Sequence, residues 1–355
     1  MLPWQTRCAI LAFCVIALAT PSAAQTVRGV VRDSLGGEAV PGAVVQLLSA
    51  DGDLVARGVT NARGEYLLSA RRPVTQLRAV RIGYRPRTLP LTSGEATDIR
   101  VDIRMLRFQA YLDPVRVIAA QCRRRGRQSP AGLIEQARAG LLTTIVSRES
   151  NPAAMRRLYF ERAFSPTTDS VERMLVHLDS AERETRSFGT ARDAAEFVEL
   201  GFFDASSGRF FGPDAEVLLD DRFAAGYCFR VMPASRARPH QIGLGFEPAT
   251  SKRGRVDIEG ALWLDTLKRE LRDLEFRYVG LDGTLTRYGP GGSIVFRQVE
   301  NGTVVLDNWA LYLIGTSRDT ISGSRPGRAP PPMQVFRWQT GGQLLEAKWN
   351  DGTSW

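Results

Sequence analysis

The sequence predicts a mainly β protein: an N-terminal β-sandwich of the seven-stranded type, followed by a C-terminal antiparallel curved sheet, or half-barrel, packed on a helix. Three observations predict it. From Gln25 to about Arg107, β-branched and apolar runs are cut by turn residues about every eight to twelve positions, with no helix-length period. From Leu158 onward strand patterns return, and in Leu274, Phe276 and Tyr278 apolar residues alternate with the charged Asp273, Glu275 and Arg277. One stretch, Leu133 to Ile145, carries apolar residues at helical spacing over several turns.

Residues 1–24 precede the first strand and read as a signal peptide. Arg7 is a short positive region, Cys8 to Ala19 is an unbroken apolar run, and Ser22, Ala23 and Ala24 are small enough for a peptidase, so cleavage is expected after Ala24. The run, about a dozen residues, is shorter than the roughly 20 a spanning helix needs, and no later stretch is long and apolar enough. A lipid anchor on Cys14 is not expected, because Phe13 stands where such a signal needs a small residue. The mature chain is therefore expected in the periplasm or outer cell envelope.

The formal charge is +9, from 47 Lys and Arg against 38 Asp and Glu. Its cations are mostly Arg and scattered, with one dense run at Cys122-Arg-Arg-Arg-Gly-Arg127. That dispersion argues against nucleic acid and leaves an unidentified envelope protein, lipid or polysaccharide as the expected partner. With Cys8 and Cys14 in the leader, Cys122 and Cys228 remain and pair most simply with each other in an oxidising compartment; two free thiols are the alternative. The two histidines, His177 and His240, lie at no ligand spacing from each other or from the cysteines, so neither a metal nor a cofactor is expected.

The first domain, residues 25–107, starts with Val27, Val30 and Val31, then Val40, Val44, Val45 and Leu47. Ser34-Leu-Gly-Gly37 and Pro41-Gly42 are turns, and Asn61-Ala-Arg-Gly64 closes a hairpin before Glu65 to Ser69, with Gly64 free to take positive φ. Val80, Ile82 and Tyr84 alternate with Arg81, Gly83 and Arg85, and Ile99, Val101 and Ile103 alternate with Arg100, Asp102 and Arg104. These read as an antiparallel sandwich.

In order, Gly29-Val-Val-Arg-Asp33, Val40-Pro-Gly-Ala-Val-Val-Gln-Leu47, Thr60-Asn-Ala-Arg-Gly-Glu-Tyr66 and Val80-Arg-Ile-Gly-Tyr84 resemble the carboxypeptidase regulatory-like domain, a transthyretin-like sandwich at the front of many bacterial envelope proteins. In true metallocarboxypeptidases the zinc belongs to a separate catalytic domain, whose His-x-x-Glu pair neither His177 nor His240 supplies. The domain also precedes the plug of many TonB-dependent receptors, and Tyr111-Leu-Asp-Pro-Val-Arg-Val117 is similar to the strand that follows it there, but the chain lacks the length for a receptor barrel. Related sandwiches bind carbohydrate on exposed aromatics; here Tyr66 and Tyr84 read as core.

Residues 108–130 read as a linker, with Ser129 capping a helix and Pro130 at its first position. In the C-terminal domain, residues 131–355, Leu133, Ile134, Ala137, Leu141, Leu142 and Ile145 form one apolar stripe, and Glu135 and Glu149 interrupt the basic face. Leu158–Phe164 and Val171–Leu178 read as neighbouring strands, Thr190–Leu200 as a short helix, and Gly260–Asp265 with Glu270–Tyr278 as a hairpin. Gly292–Val299 and Val304–Ile314 extend a meander. Arg318–Pro332 reads as a disordered loop, and Val335–Trp338 and Gln343–Trp349 as two final strands.

The Gly260-x-x-Trp263-Leu-Asp265 and Leu271-x-x-Leu274-x-Phe276 hairpin resembles the half-barrel of the lipoprotein-carrier (LolA/LolB-like) superfamily, where a curved sheet folds around a helix and an apolar cavity. This part also resembles the C-terminal part of uncharacterised envelope proteins with the same front domain. The first resemblance implies Trp263, Phe276 and Tyr278 as cavity lining; core packing is the other reading.

No Gly-x-Ser-x-Gly elbow, His-Glu-x-x-His or phosphate-cradling loop is present. Asp214, Asp220, Asp221, Glu247, Asp257 and Asp265 are available as carboxylates, but among 38 acidic residues nothing singles out a glycosidase pair. The expected function is therefore a non-catalytic, exported binding or scaffolding protein of the envelope. Lipid or lipoprotein carriage in a half-barrel cavity is the alternative, and a carbohydrate-binding accessory protein or a hydrolase the third.

Overall fold

The structure, a computed structural model, describes residues 25–91, 97–108, 122, 130–165, 168, 170–181, 193–251, 254–281, 283–286, 288–317 and 334–355. The cleavage point after Ala24, the Tyr111–Val117 stretch, the basic run after Cys122, Ser129 and the Arg318–Pro332 segment lie outside the described residues.

Strands β1 (Gln25–Asp33), β4 (Glu65–Ala70), β7 (Asp98–Arg100) and β8 (Ile103–Met105) form one sheet of the first domain. Strands β2 (Val44–Leu48), β3 (Leu54–Val59), β5 (Gln76–Val80) and β6 (Arg87–Pro90) form the other, in the order β3-β2-β5-β6. Val27, Val31, Tyr66, Leu68, Ile103 and Met105 pack against Val45, Leu47, Leu77 and Ala79 between them. Gly64 takes φ 73° at the hairpin, where its amide donates to the Asn61 carbonyl at 2.8 Å.

One expectation fails here. The alternating run Ile99–Ile103 is two short strands, β7 and β8, and both pair parallel with β1, so the sandwich is not purely antiparallel. The break has a physical cause at Val101, whose carbonyl accepts the Tyr66 hydroxyl at 2.6 Å and lies directly over Gly29.

In the second part of the chain, α1 (Ala131–Ser150) is followed by β9 (Ala154–Phe164), β10 (Val171–Ala181) and α2 (Ala194–Leu200). A small hairpin, β11 (Phe203–Asp204) and β12 (Arg209–Phe210), leads to α3 (Ala215–Leu219) and α4 (Asp221–Gly226). Then come β13 (Tyr227–Met232), β14 (Gln241–Pro248), β15 (Asp257–Asp265), β16 (Glu270–Val279), α5 (Gly283–Thr286), β17 (Gly291–Gln298), β18 (Val304–Ser317) and β19 (Gln334–Lys348). Nine of these strands make one open, curved sheet, all antiparallel, in the order β10-β9-β19-β18-β17-β16-β15-β14-β13.

The two expected final strands are one. Gly341 and Gly342, between the two expected strands, continue β19, and their function is space: a Cβ on Gly341 would stand 2.5 Å from the Phe160 ring and from the Trp309 carbonyl. Helix α1 also departs from its reading. Pro130 is the N-cap residue and not the first helical one. In place of a single apolar stripe, burial extends to Gln136, Thr143, Thr144 and Ser147.

The reason is that α1 is covered on both sides. The core around it joins Leu133, Ala137, Leu141 and Val146 to Leu244, Leu274, Phe276 and Leu311 of the large sheet, and also to Val44, Val80 and Ile82 of the first domain. Alternation along β2 and β5 explains how: Val45, Leu47, Leu77 and Ala79 face the sandwich, so Val44 and Val80 face α1. Arg81, although charged, is buried at this junction. It donates to the Pro41 carbonyl at 2.9 Å, the Arg269 carbonyl at 2.6 Å and Gln298 Oε1 at 2.7 Å. Gln136 of α1 accepts from the Gly83 amide at 2.5 Å and donates to the Tyr84 carbonyl at 3.1 Å. Among the described residues, no helix is long and apolar enough to cross a membrane.

Candidate functional site

The register of the first domain builds a charged row. Gln46 of β2 stands opposite Arg57 of β3 on one side and Arg78 of β5 on the other, so all three share the face that looks at α1. On α1, Glu135, Arg138, Leu142, Ile145 and Glu149 recur at three- and four-residue steps and so form one stripe. Between row and stripe lies a cleft of about 510 Å³, lined also by Glu216 and Leu219 of α3 and by Asp220.

Val80, Ala139, Leu142, Ile145 and Leu219 give the cleft an apolar lining, and ions of both signs ring it. Arg57 grips Glu149 with two bonds of 2.8 Å, Arg148 pairs with Glu216, and Arg138 reaches Asp221 at 3.1 Å. Arg78 meets Glu135 at 4.0 Å, outside hydrogen-bond range. Such partly exposed pairs contribute at most about 1 kcal/mol each, so a ligand can exchange them at little cost. The volume suits a small molecule or a short polymer segment, which typically occupies roughly 300 to 1,000 Å³. The lining residues offer an apolar seat, guanidinium groups and carboxylates, and include no His, Cys, Ser or Thr.

The residues implied as cavity lining do not line one space. Phe276 and Tyr278 lie on the core face of β16, where their rings meet edge to face and the Tyr278 hydroxyl donates to the Phe211 carbonyl at 2.8 Å. Burial pushes the Tyr278 phenol far up. Phe276 sits between Gly260 and Gly292 on the neighbouring strands, and a Cβ on Gly292 would lie 2.6 Å from its ring. Trp263 is on the opposite face of the sheet, beneath the Arg238 guanidinium at 4.4 Å.

Cys122 and Cys228 form the disulfide, both buried, with Cα atoms 5.6 Å apart. It ties residue 122 to β13, the terminal strand of the large sheet. His177 is exposed on β10, and His240 is exposed at a turn with φ 59°, its carbonyl accepting from Thr266. The candidate carboxylates are dispersed in structural contacts. Asp214 caps α3, Asp220 caps α4, Glu247 pairs with Arg230, Asp265 holds the turn amides of Leu267 and Lys268, and buried Asp257 takes both the Tyr227 hydroxyl and Arg255. Among the described residues no cluster of three or more His, Cys, Asp or Glu could hold a metal ion.

Sequence reasoning missed the cleft because its two walls are some sixty to a hundred residues apart in the chain. The signal that could have found it is the charge of Arg57 and Arg78 facing the acidic residues Glu135 and Glu149, which were visible only as interruptions.

Comparison with known proteins bears on the first domain alone. Residues 26–106 match the model of the carboxypeptidase regulatory-like domain, and the match ends at the last strand of the sandwich. No curated protein matches the chain. Among solved structures, a 9R-lipoxygenase from Cyanothece is similar at 11% identity over 95% of this chain and 44% of that one, with a TM-score of 0.21. A protein of unknown function from Bacteroides fragilis is 8% identical over 92% of this chain and 98% of its own, with a TM-score of 0.19. Fervidolysin from Fervidobacterium pennivorans, a keratinolytic enzyme related to subtilisin, is 9% identical over 88% of this chain and 32% of its own, with a TM-score of 0.15. The chain thus spans less than half of the lipoxygenase and of fervidolysin, and at these TM-scores the likenesses carry no argument.

Proposed function

We propose that the chain is a non-catalytic, exported binding or scaffolding protein of the cell envelope, and that the cleft between its two parts is the binding place. One observation carries the reading. The inside of the curved sheet, where a carrier would hold an acyl chain, is filled by α1 and by Phe246, Phe276 and Tyr278. An open cleft lies on the other side of α1 and is rimmed with charge, which suits a ligand with an apolar body and polar groups of both signs, such as a protein segment or a polysaccharide. The apolar leader and the Cys122–Cys228 bond support the compartment, since disulfides persist outside the reducing cytosol.

Lipid or lipoprotein carriage is the second reading, favoured by the curved antiparallel sheet around a helix. It requires α1 to leave the sheet.

The test is co-purification from the native envelope with the wild type and with Leu142→Trp, which fills the cleft at its floor. The account expects the wild type to retain a partner or glycan that the variant loses, at unchanged circular dichroism. Equal retention by both would move the binding place elsewhere.

A further inference from the structure

The two ends of the nine-stranded sheet differ. At one end the disulfide fastens residue 122 to β13; at the other, β10 pairs only with β9 among the described residues. Edge strands in soluble proteins are usually blunted by Lys, Pro or a bulge, because their free N–H and C=O groups invite a further strand. Between Arg173 and Asp179, β10 reads Arg-Met-Leu-Val-His-Leu-Asp, with no Lys, Pro or Gly, and its register against β9 is regular over this stretch, the one irregularity lying between Val171 and Arg173. Met174, Leu175, Val176 and Leu178 are each 47 to 55% exposed. Alternation puts Met174, Val176 and Leu178 on one face, continuous with Phe160 and Leu158 opposite Val176 and Leu178 on β9.

We propose that β10 is the joining edge of a dimer, in which a second copy of this chain pairs antiparallel with it about a two-fold axis through Val176. The sequence of the strand is complementary to itself about that residue. Val176 meets Val176, Met174 meets Leu178, Leu175 meets His177, and Arg173 meets Asp179 at both ends. On the Met174–Val176–Leu178 face apolar side chains thus meet apolar ones, and on the other face Leu175 meets His177 and the two charged pairs are attractive. An axis one residue earlier, through Leu175, would set Glu172 against Leu178 and leave Arg173 without a carboxylate opposite. The pairing is isologous, so it uses up on each copy the edge left unpaired among the described residues and closes instead of propagating into a fibre. Residues of β10 do not line the cleft, so this inference stands apart from the proposed binding place.

The purified protein is examined by light scattering after size exclusion over a range of concentrations, with circular dichroism to confirm folding. The wild type is expected to form a dimer. Arg173→Asp, which opposes two pairs of carboxylates, is expected to raise the dissociation constant about tenfold, since facing charges decide cross-strand pairs. Adding Asp179→Arg to it restores the attraction and is expected to restore the dimer. Directly opposite residues stand about 4.5 to 5.5 Å apart between Cα atoms, within disulfide reach, so Val176→Cys is expected to give an interchain disulfide on mild oxidation. A wild type that stays monomeric at every concentration, whether its edge is bare or covered by another segment or protein, overturns the proposal. So does a dimer indifferent to Arg173→Asp.

Discussion

Asp33 is fully buried and still charged, and it holds the turn after β1 to Arg107. Burial alone would push its carboxyl up, but the amides of Gly36 and Leu35 and the Arg107 guanidinium overcome that and hold it well below the usual carboxylate range. In the unfolded chain the group returns to an ordinary value near ~4. As pH falls, the unfolded state therefore takes up the proton first, so the stability from Asp33 is complete above that value and is lost progressively below it. Urea unfolding should show stability falling below about pH 4, and Asp33→Asn should flatten that slope while lowering the plateau. Gly29 is a second test. A Cβ there would stand 1.8 Å from the Val101 carbonyl, which is backbone and cannot turn aside. Gly29→Ala should cost about 3 kcal/mol or more in urea unfolding, unlike most exposed strand substitutions. Both residues belong to the Gly29–Asp33 motif legible in the sequence. Their roles were not, because Val101 and Arg107 lie some seventy residues further along.

Among the elements, patterns of period two were readable wherever one face meets water, and misled where both faces are covered. Val80-Arg81-Ile82 looks half-exposed, yet Arg81 is buried because the end of β5 abuts the β15–β16 turn and β17 of the large sheet. Its guanidinium donates to the part-buried Pro41 and Arg269 carbonyls and to Gln298 Oε1, tying the first domain to the large sheet. Arg81→Ala should therefore cost about 3 kcal/mol, measured by chemical unfolding, and increase protease cleavage between the two parts before global unfolding. The apolar stripe of α1 misled in the same way, as did the glycine pair in β19. A helix buried between two layers needs small and polar residues that can be satisfied internally: Thr143 and Thr144 donate to the carbonyls of Ala139 and Gly140. Glycine inside a strand can mean that a neighbouring ring needs the space, which a single strand does not reveal.

For the whole molecule, the mainly β class, the sandwich, the curved antiparallel sheet and the Cys122–Cys228 pair were all legible, since each follows from local alternation or from setting aside the two of four cysteines in the apolar N-terminal run. What a sequence does not show is which of two surfaces a shared helix fills. The disulfide spans a sequence separation of 106, so it restricts the unfolded chain substantially. Reduction, or Cys122→Ala with Cys228→Ala, should lower stability by about 4 kcal/mol on the entropic account, read as a fall in the urea midpoint. Among the described residues α1 and the aromatic core fill the inside of the sheet, so no acyl chain is expected to be held there. Native mass spectrometry of the protein isolated from its native source is the test. The expected result is a polypeptide mass two hydrogens below the reduced chain, with no stoichiometric lipid. One tightly held lipid per chain, lost only on unfolding, would contradict it.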